Sequence, residues 1–566
     1  MSTESAPVND APFWTAQYPA VVPTSVLNEI EKYESTLSVF EEAVSRYPKN
    51  IAYSCMGKTL TYAELNRKAE SFAAYLQNEL KMQKGERIAL QMPNVLQFPI
   101  AMYGALKAGL ILVNTNPLYT EREMQHQFAD AGATAVVILA NFAFHLEKIL
   151  HETKIRHVII TELGDMLDFP KRQLVNTVVK RVKKMVPRYS IPQAIPFRTV
   201  LAKGAGLPYR RVQMSLDEVA FLQYTGGTTG VAKAAMLTHR NIVANMEQIR
   251  CWMLPLLKEG EEVAVCALPL YHIFALTVNA FAFGKFGFEN ILIPNPRDIP
   301  GFVKELKAHP WTVLCGVNTL FNALMSNPEF AALDFSKVKV SVAGGMALQR
   351  SVTERWKKVT RSLLIEGYGL TEASPVVCCN PIDGSDRIGT IGLPLPSTLV
   401  QVIDDDGHVL PVGSPGELCV KGPQVMKGYW QKPDETAKVF TDDGWLRTGD
   451  IAIQEADGFC KIVDRKKDLI IVSGFNVYPN EVEDVIATHP GVLEVAAIGI
   501  PDEHSGEVVK VFVVKRDPNL TEKDVLAHAR AGLTKYKIPK LVEFRTELPK
   551  TNVGKILRRA LKPASH

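Results

Sequence analysis

The sequence predicts a layered α/β protein, with a large N-terminal domain of α/β sheets ending in a β-rich subdomain and a small, mobile α+β domain at the C-terminus. Three observations lead there. The chain has 566 residues, more than one core usually serves. Short apolar runs alternate with amphipathic helical stretches over most of its length. Beyond about Gly384 the pattern turns to alternating β-rich segments punctuated by Gly and Pro.

The elements follow in order. Thr61 is an expected N-cap, with Leu65, Ala69, Phe72 and Leu76 at helical spacing behind it. Residues 87–91 read as a strand that leads into a second helical stretch, and residues 135–139 and 157–160 are short apolar strands. The span 95–113 is apolar but contains Gln97, Pro99 and Lys107, which predicts a buried helix against a sheet rather than a membrane crossing. Residues 313–315, 338–342 and 363–365 each run into a turn rich in Gly, Thr or Glu, the place where open α/β sheets gather ligands. The β-rich subdomain is placed at about 385–464, and the charged stretch from Asp464 to Asp468 marks a linker. The expected units are therefore 1–464, a hinge at 465–468, and 469–566. The last contains helices at 479–487 and 522–532 and strands at 495–498 and 508–515.

Composition narrows the function. Hydrophobic residues make up 46% and charged residues 22%, ordinary for a globular protein and unlike a disordered or fibrous one. With 64 basic and 60 acidic side chains the net charge is +4, too even for a molecule built to bind nucleic acid. Eight scattered cysteines assemble neither a disulfide framework nor a CxxC metal pair, which fits a reducing cytosol. The N-terminus lacks the charged start and apolar block of a signal peptide.

Four motifs carry chemistry. Thr225, Gly226, Gly227, Thr228, Thr229, Gly230 and Lys233 combine glycines that admit phosphates, hydroxyl donors and a mobile positive charge. Lys233 follows Ala232 and is not part of a GK[ST] sequence, so this is not a Walker A loop. The second motif is Glu366-Gly367-Tyr368-Gly369-Leu370-Thr371-Glu372, where Tyr368 is suited to stack on a purine and Glu372 to ligate the Mg²⁺ that accompanies ATP. The third joins Asp450, a carboxylate able to bridge ribose hydroxyls, to Arg465. The fourth places Lys555 after Gly554 near the end of the small domain. Taken singly, Tyr368 reads as a packing aromatic, Glu372 as a solvated carboxylate, Asp450 as a turn residue and Lys555 as solvated surface.

In this order the motifs resemble the adenylate-forming superfamily of acyl-CoA synthetases, luciferases and peptide-synthetase adenylation domains. The resemblance covers nearly the whole chain, and the run from Asp443 to Lys467 is similar to the signature segment of fatty-acyl-CoA synthetases, the bacterial long-chain enzymes above all. It implies activation of a long acyl carboxylate by ATP and Mg²⁺ through an acyl-adenylate, followed by transfer to coenzyme A. It also implies roles for individual residues. Thr225 to Lys233 match the phosphate loop, and Thr228 with Glu372 match the metal-associated positions. Tyr368, Gly369 and Thr371, with Gly344, Gly345 and Met346, match the nucleotide pocket around the adenine. Asp450 and Arg465 match the ribose contacts, Lys467 the hinge, Lys555 the lysine that assists adenylation, and Gly474 the glycine beside the thiol tunnel.

Two positions depart from the pattern. Ala234 stands where many relatives have Gly. His272 matches the histidine at the acyl entrance, but Leu276 occupies the place where some fatty-acid enzymes have a gating Trp. Residues 171–188 carry Lys171, Arg172, Lys180, Arg181, Lys183, Lys184 and Arg188, with Leu174, Val175, Val178, Val179, Val182, Met185 and Val186 expected on one face of a helix. Such a basic amphipathic helix serves either a membrane surface or the side of the large domain. A cytoplasmic protein peripherally attached to the inner face of the membrane is the resulting expectation, with a homodimer also open. An aryl-acid or medium-chain CoA ligase, an amino-acid adenylation domain and a non-catalytic membrane-binding homologue are the alternatives.

Overall fold

A computed structural model describes residues 11–225, 232–502, 504–551 and 553–562. Two large sheets form its centre. The seven-stranded sheet runs in the order Ile195–Pro196, His157–Thr161, Ala135–Leu139, Arg87–Gln91, Ile111–Asn114, Val219–Thr225, Lys233–Thr238. Its strands are parallel except for the last pair, in which Thr225 lies opposite Lys233. The nine-stranded sheet is parallel from Ile51–Cys55 across to Leu363–Gly369 and antiparallel at both edges.

Helices with little exposed surface, Gln97–Lys107 and His239–Met253, pack against the sheet strands. Gln97–Lys107 is buried at every position, as its composition predicts, and no helix among the described residues is long and apolar enough to cross a membrane. Helix Tyr62–Asn78 starts at a capping box in which the Thr61 hydroxyl accepts from the Glu64 N–H and the Glu64 carboxylate accepts from the Thr61 N–H. Thr238 and Asn241 form the same reciprocal pair at the start of His239–Met253. All eight cysteines are buried and unpaired.

A four-stranded antiparallel sheet follows, from Leu399–Ile403 to Cys460–Arg465. From Ile470 the chain builds a separate five-stranded sheet. Its central strands Val492–Asp502 and Gly506–Lys515 are apolar on both faces. Val495, Ala497, Val509, Val511 and Val513 join one core with Val482, Ile486 and Val525, while Ala496, Ile498, Phe512 and Val514 join another with Leu548 and Leu561. Period-two alternation makes this possible, because successive strand side chains point to opposite faces.

Residues 171–188 differ from expectation. Helix Lys171–Thr177 gives way to a wider π turn at Val178–Val182, Lys184 takes a φ of +50°, and Pro187 forbids continuation. The apolar residues do not share one face: Val179 is buried and Val186 packs on the core, while Leu174, Val182 and Met185 project into solvent.

Candidate functional site

The candidate site forms where strand ends of the large sheets meet the four-stranded sheet and the five-stranded unit. Thr225 and Lys233 lie opposite each other at the end of their hairpin, and the expected positions Gly226, Gly227, Thr228, Thr229 and Gly230 between them fall outside the described residues. The Lys233 ammonium pairs with Glu435 at 2.6 Å and sits over the Tyr429 ring, 4.7 Å from its centroid. Tyr429 in turn donates its hydroxyl to Glu372 Oε1 at 2.7 Å. Contacts with Lys233, then Lys438, lower the Glu435 carboxyl to about 2. Tyr429 and Glu435 were missed by sequence reasoning; the aromatic in Gly428-Tyr429-Trp430 is the only signal that marked them.

A second group surrounds Asp450. The Tyr368 hydroxyl donates to Asp450 Oδ2 at 2.6 Å, and Arg465 Nε lies 3.2 Å from Oδ1. Strands Leu363–Gly369, Leu446–Gln454 and Cys460–Arg465 thus bring the second and third sequence motifs together. Burial, and then the Asp450 charge, push the Tyr368 phenol well above its ordinary value, so it remains a donor.

Lys555 enters from the five-stranded unit. Gly345, at φ +79°, follows strand Val340–Gly344, a backbone conformation that favours glycine, and a Cβ there would lie 2.9 Å from Lys555 Cε, which places the lysine chain against this turn. Gly344 faces Phe274, whose ring would meet a Cβ at 2.8 Å. Met346 packs at the edge of the core. Withdrawal from water, reinforced by Arg465 and opposed by Asp450 and Glu372, lowers the Lys555 ammonium to about 8. The Gly554 carbonyl just before it accepts from the Thr319 hydroxyl of the large sheet's helix at 2.9 Å.

Gly344, Gly345, Tyr368, Gly369, Thr371 and Lys555 make the polar part of the lining of a cavity of about 730 Å³, open mouth included. The apolar part of the lining is made by Ile249, Trp252 and Met253 from helix His239–Met253 together with Val278, Cys379 and Leu395. The Trp252 indole is held by a 3.0 Å bond to the Asn380 carbonyl. His272 also lines the cavity. Its Nδ1 accepts from the Phe274 N–H at 3.3 Å, and burial, then Lys555, lower its pKa to about 3. The imidazole is therefore held in its neutral form. Leu276 is fully buried and Phe274, not Leu276, lines the cavity. Burial pushes the Cys379 thiol up to about 12, which removes it as a nucleophile.

Two expected residues are elsewhere. Gly474, at φ +81° in the turn between Ile470–Val472 and Phe475–Val477, has open space around it and does not line the cavity. Lys467 follows strand Cys460–Arg465, and desolvation lowers its ammonium.

Two central sheets with a β-rich appendage and a small C-terminal α+β unit make the fold of the adenylate-forming ligases. The chain belongs to the AMP-binding enzymes: the family model for the AMP-binding enzyme matches residues 40–430, and that for the AMP-binding enzyme C-terminal domain matches 481–555. It is 56% identical to the long-chain-fatty-acid–CoA ligase of Escherichia coli O6:H1 over 97% of both chains. Among solved structures it resembles ATP-bound MatB from Rhodopseudomonas palustris, with 28% identity, a TM-score of 0.76 and coverage of 93% and 98% of the two chains. It also shares the fold of the anthranilate CoA ligase AuaEII in complex with anthranoyl-AMP, at 23% identity and a TM-score of 0.84 over 94% and 96% of the chains.

Proposed function

We propose that this protein is an AMP-forming long-chain-fatty-acid–CoA ligase that works through an acyl-adenylate. The observation that carries the reading is one cavity whose lining joins Lys555 and Tyr368 to apolar side chains of helix His239–Met253. A fatty carboxylate lying in it points its head at the polar groups. The carboxylate oxygen attacks the α-phosphorus of ATP, the α–β P–O bond breaks, and pyrophosphate leaves. The thiolate of coenzyme A then attacks the acyl carbonyl and expels AMP, so no covalent acyl-enzyme is required.

The protein's part is charge placement and alignment. Lys233 and the loop beginning at Thr225 meet the β- and γ-phosphates, Asp450 and Arg465 hold the ribose, and Tyr368 flanks the adenine. The Lys555 ammonium stabilises negative charge as the anhydride forms, and neutral His272 lies beside the reacting carboxylate. Glu372 suits Mg²⁺: it is a hard oxygen donor, Oε1 is oriented by Tyr429, and Oε2 accepts no hydrogen bond among the described residues. Together with Thr228 it would hold the ion, which offsets phosphate charge.

The chain is read as a large unit, 1–464, a hinge at 465–468 and a small unit, 469–566. Lys555 occupies the cavity in the orientation described, whereas Gly474 is exposed. Rotation near Lys467 would withdraw Lys555 and bring Gly474 to the pantetheine channel for the second step. The test of the whole reading is an ATP-dependent thioester assay from acetate to oleate, with benzoate alongside. Palmitoyl-CoA, AMP and pyrophosphate in equal amounts are expected; a preference for acetate or benzoate overturns the long-chain assignment.

Peripheral membrane attachment is part of the same proposal. Phe169, Leu174, Val182 and Met185 are 76%, 65%, 70% and 52% exposed, and they stand among Lys180, Arg181, Lys183, Lys184 and Arg188. Apolar side chains ringed by cations fit an anionic bilayer surface, where the acyl substrate partitions. Purified protein should sediment with phosphatidylglycerol vesicles at low salt and be released by salt. Unchanged sedimentation after neutralising Lys180, Arg181, Lys183 and Lys184 removes this reading.

A further inference from the structure

The junction between the four-stranded sheet and the small unit contains a buried carboxylate that the chemistry above does not use. Asp464 belongs to strand Cys460–Arg465 and lies opposite Ile451, so it moves with the large unit. Its side chain is 0% exposed. Oδ2 accepts from the Asn480 backbone N–H at 2.8 Å, and Oδ1 faces Arg558 Nη1 at 3.4 Å. These two donors belong to the small unit; Oδ1 also accepts from the Arg465 N–H of its own strand at 2.7 Å.

Arg558 is three residues beyond Lys555, and its guanidinium is almost fully engaged. Nη2 donates to Glu483 Oε2 at 2.7 Å and to Asn480 Oδ1 at 2.5 Å, Nε donates to Glu483 Oε1 at 3.0 Å, and Asp468 Oδ2 lies 3.6 Å from Nη1. The backbone between the two residues is braced as well, because the Leu557 N–H donates to the Pro549 carbonyl at 2.8 Å and Lys550 bridges to Ile556. Fixing Arg558 therefore fixes the loop that presents Lys555.

The contacts of Arg558 divide into two kinds. Those to Glu483 and Asn480 lie within the small unit and survive any rigid rotation of it. Those from Arg558 and the Asn480 N–H to Asp464 span the hinge and are lost when the unit turns. A carboxylate out of water needs its donors; once they leave, it must meet solvent instead. Desolvation raises the Asp464 carboxyl to about 6, while Arg558 and the Asn480 and Arg465 N–H groups pull it down.

We propose that Asp464 is a positioning residue, a latch whose carboxylate is gripped by Arg558 and the Asn480 N–H so that the small unit stays in the orientation that inserts Lys555. The latch deepens the alternating-orientation reading above and rests on it. Because it exists in one orientation only, it favours adenylation and opposes the turn to the thioester step. The Thr319–Gly554 and Asn322–Leu493 contacts also join the units, but each is a neutral hydrogen bond, and a bond to a charged group contributes more.

The test uses the full chain with Asp464→Asn, which keeps the shape and removes the charge, and Arg558→Gln as a second variant. Two single-turnover steps are followed: pyrophosphate release from ATP and palmitate, and conversion of supplied palmitoyl-adenylate to palmitoyl-CoA. The expected result is a loss of roughly tenfold in the first step, with the second unchanged or faster and the melting temperature near that of the parent. Adenylation at the parental rate, or parallel loss of both steps in either folded variant, overturns the latch. Lys555→Ala, measured beside them, separates the two ideas: if it loses adenylation alone while the Asp464 variant does not, the alternation stands and the latch falls. If Lys555→Ala itself loses both steps, the alternation falls with it.

Discussion

The two ends of the cavity are made by different means. At the polar end and in the nucleotide-side residues next to it, side chains are oriented by neighbours: Tyr368, which lines the cavity, by Asp450, and outside its lining Glu372 by Tyr429 and Lys233 by Glu435. At the apolar end the walls are side chains of helix His239–Met253, of the π-helical segment Leu276–Phe283 and of strand Val376–Cys379, with Leu395 beside them, and the Trp252 indole is tied by a hydrogen bond. Directional bonds hold a reacting geometry to fractions of an ångström, whereas dispersion and burial only define a volume. The polar end is therefore expected to control rate, and the apolar end to control which acid is chosen.

Substitutions can break that division. The largest effect is expected at Lys555: Lys555→Ala should reduce pyrophosphate release on the order of a thousandfold while leaving conversion of supplied acyl-adenylate to thioester nearly intact. Equal loss of both steps would place Lys555 in general scaffolding instead. Glu372→Gln should lower adenylation by about a hundredfold at unchanged melting temperature, and raising the Mg²⁺ concentration should restore part of it. If the variant keeps the parental rate, Glu372 is outside the phosphate and metal site.

At the apolar end, Val278→Phe should shorten the cavity and leave rates with short acids near those of the parent. Each excluded methylene costs about 0.8 kcal/mol, so kcat/KM for palmitate relative to octanoate should fall roughly fourfold per methylene displaced. A uniform drop for every chain length would mean that the substitution disturbs the polar end and that the division is wrong. The smallest effect concerns pH. A lysine lowered to about 8 carries its charge below that value and loses it as pH rises through it, so kcat/KM for ATP should halve near pH 8 and continue downward. With an unperturbed lysine, near 10.4, this alkaline limb would be absent from the accessible range.

Much of the polar end was legible in the sequence because its parts are local. A strand followed by a glycine-rich turn singles out candidate residues at its end, as at residues 363–372 and at Gly344-Gly345; Tyr368 and Lys555 line one cavity, and Asp450 and Arg465 join it through the Tyr368 hydroxyl. Tyr429 and Glu435 were not legible. Neither lies in a recognisable turn motif, and each gains its role from a partner far away in sequence, Glu372 and Lys233 respectively. The apolar end was closed to reading for a related reason. Trp252 and Met253 look like any buried positions of an amphipathic helix, and only the opposing strand shows which of them faces empty space.

The same split runs through the fold. Helix Tyr62–Asn78 behind its Thr61 cap, strand Arg87–Gln91, and helices Pro479–Ala487 and Glu522–Gly532 were determined by sequence alone, since caps, prolines and hydrophobic period act over a few residues. Tertiary structure decided the rest. It broke the expected helix at 171–188 into a short helix and a π turn, burying Val179 while leaving Leu174 and Val182 in water. It also brought Asp464 against Arg558, 94 residues away. Periodicity tells a side chain which way to point along its own element, but what it meets there depends on how distant parts of the chain pack, and no local pattern encodes that.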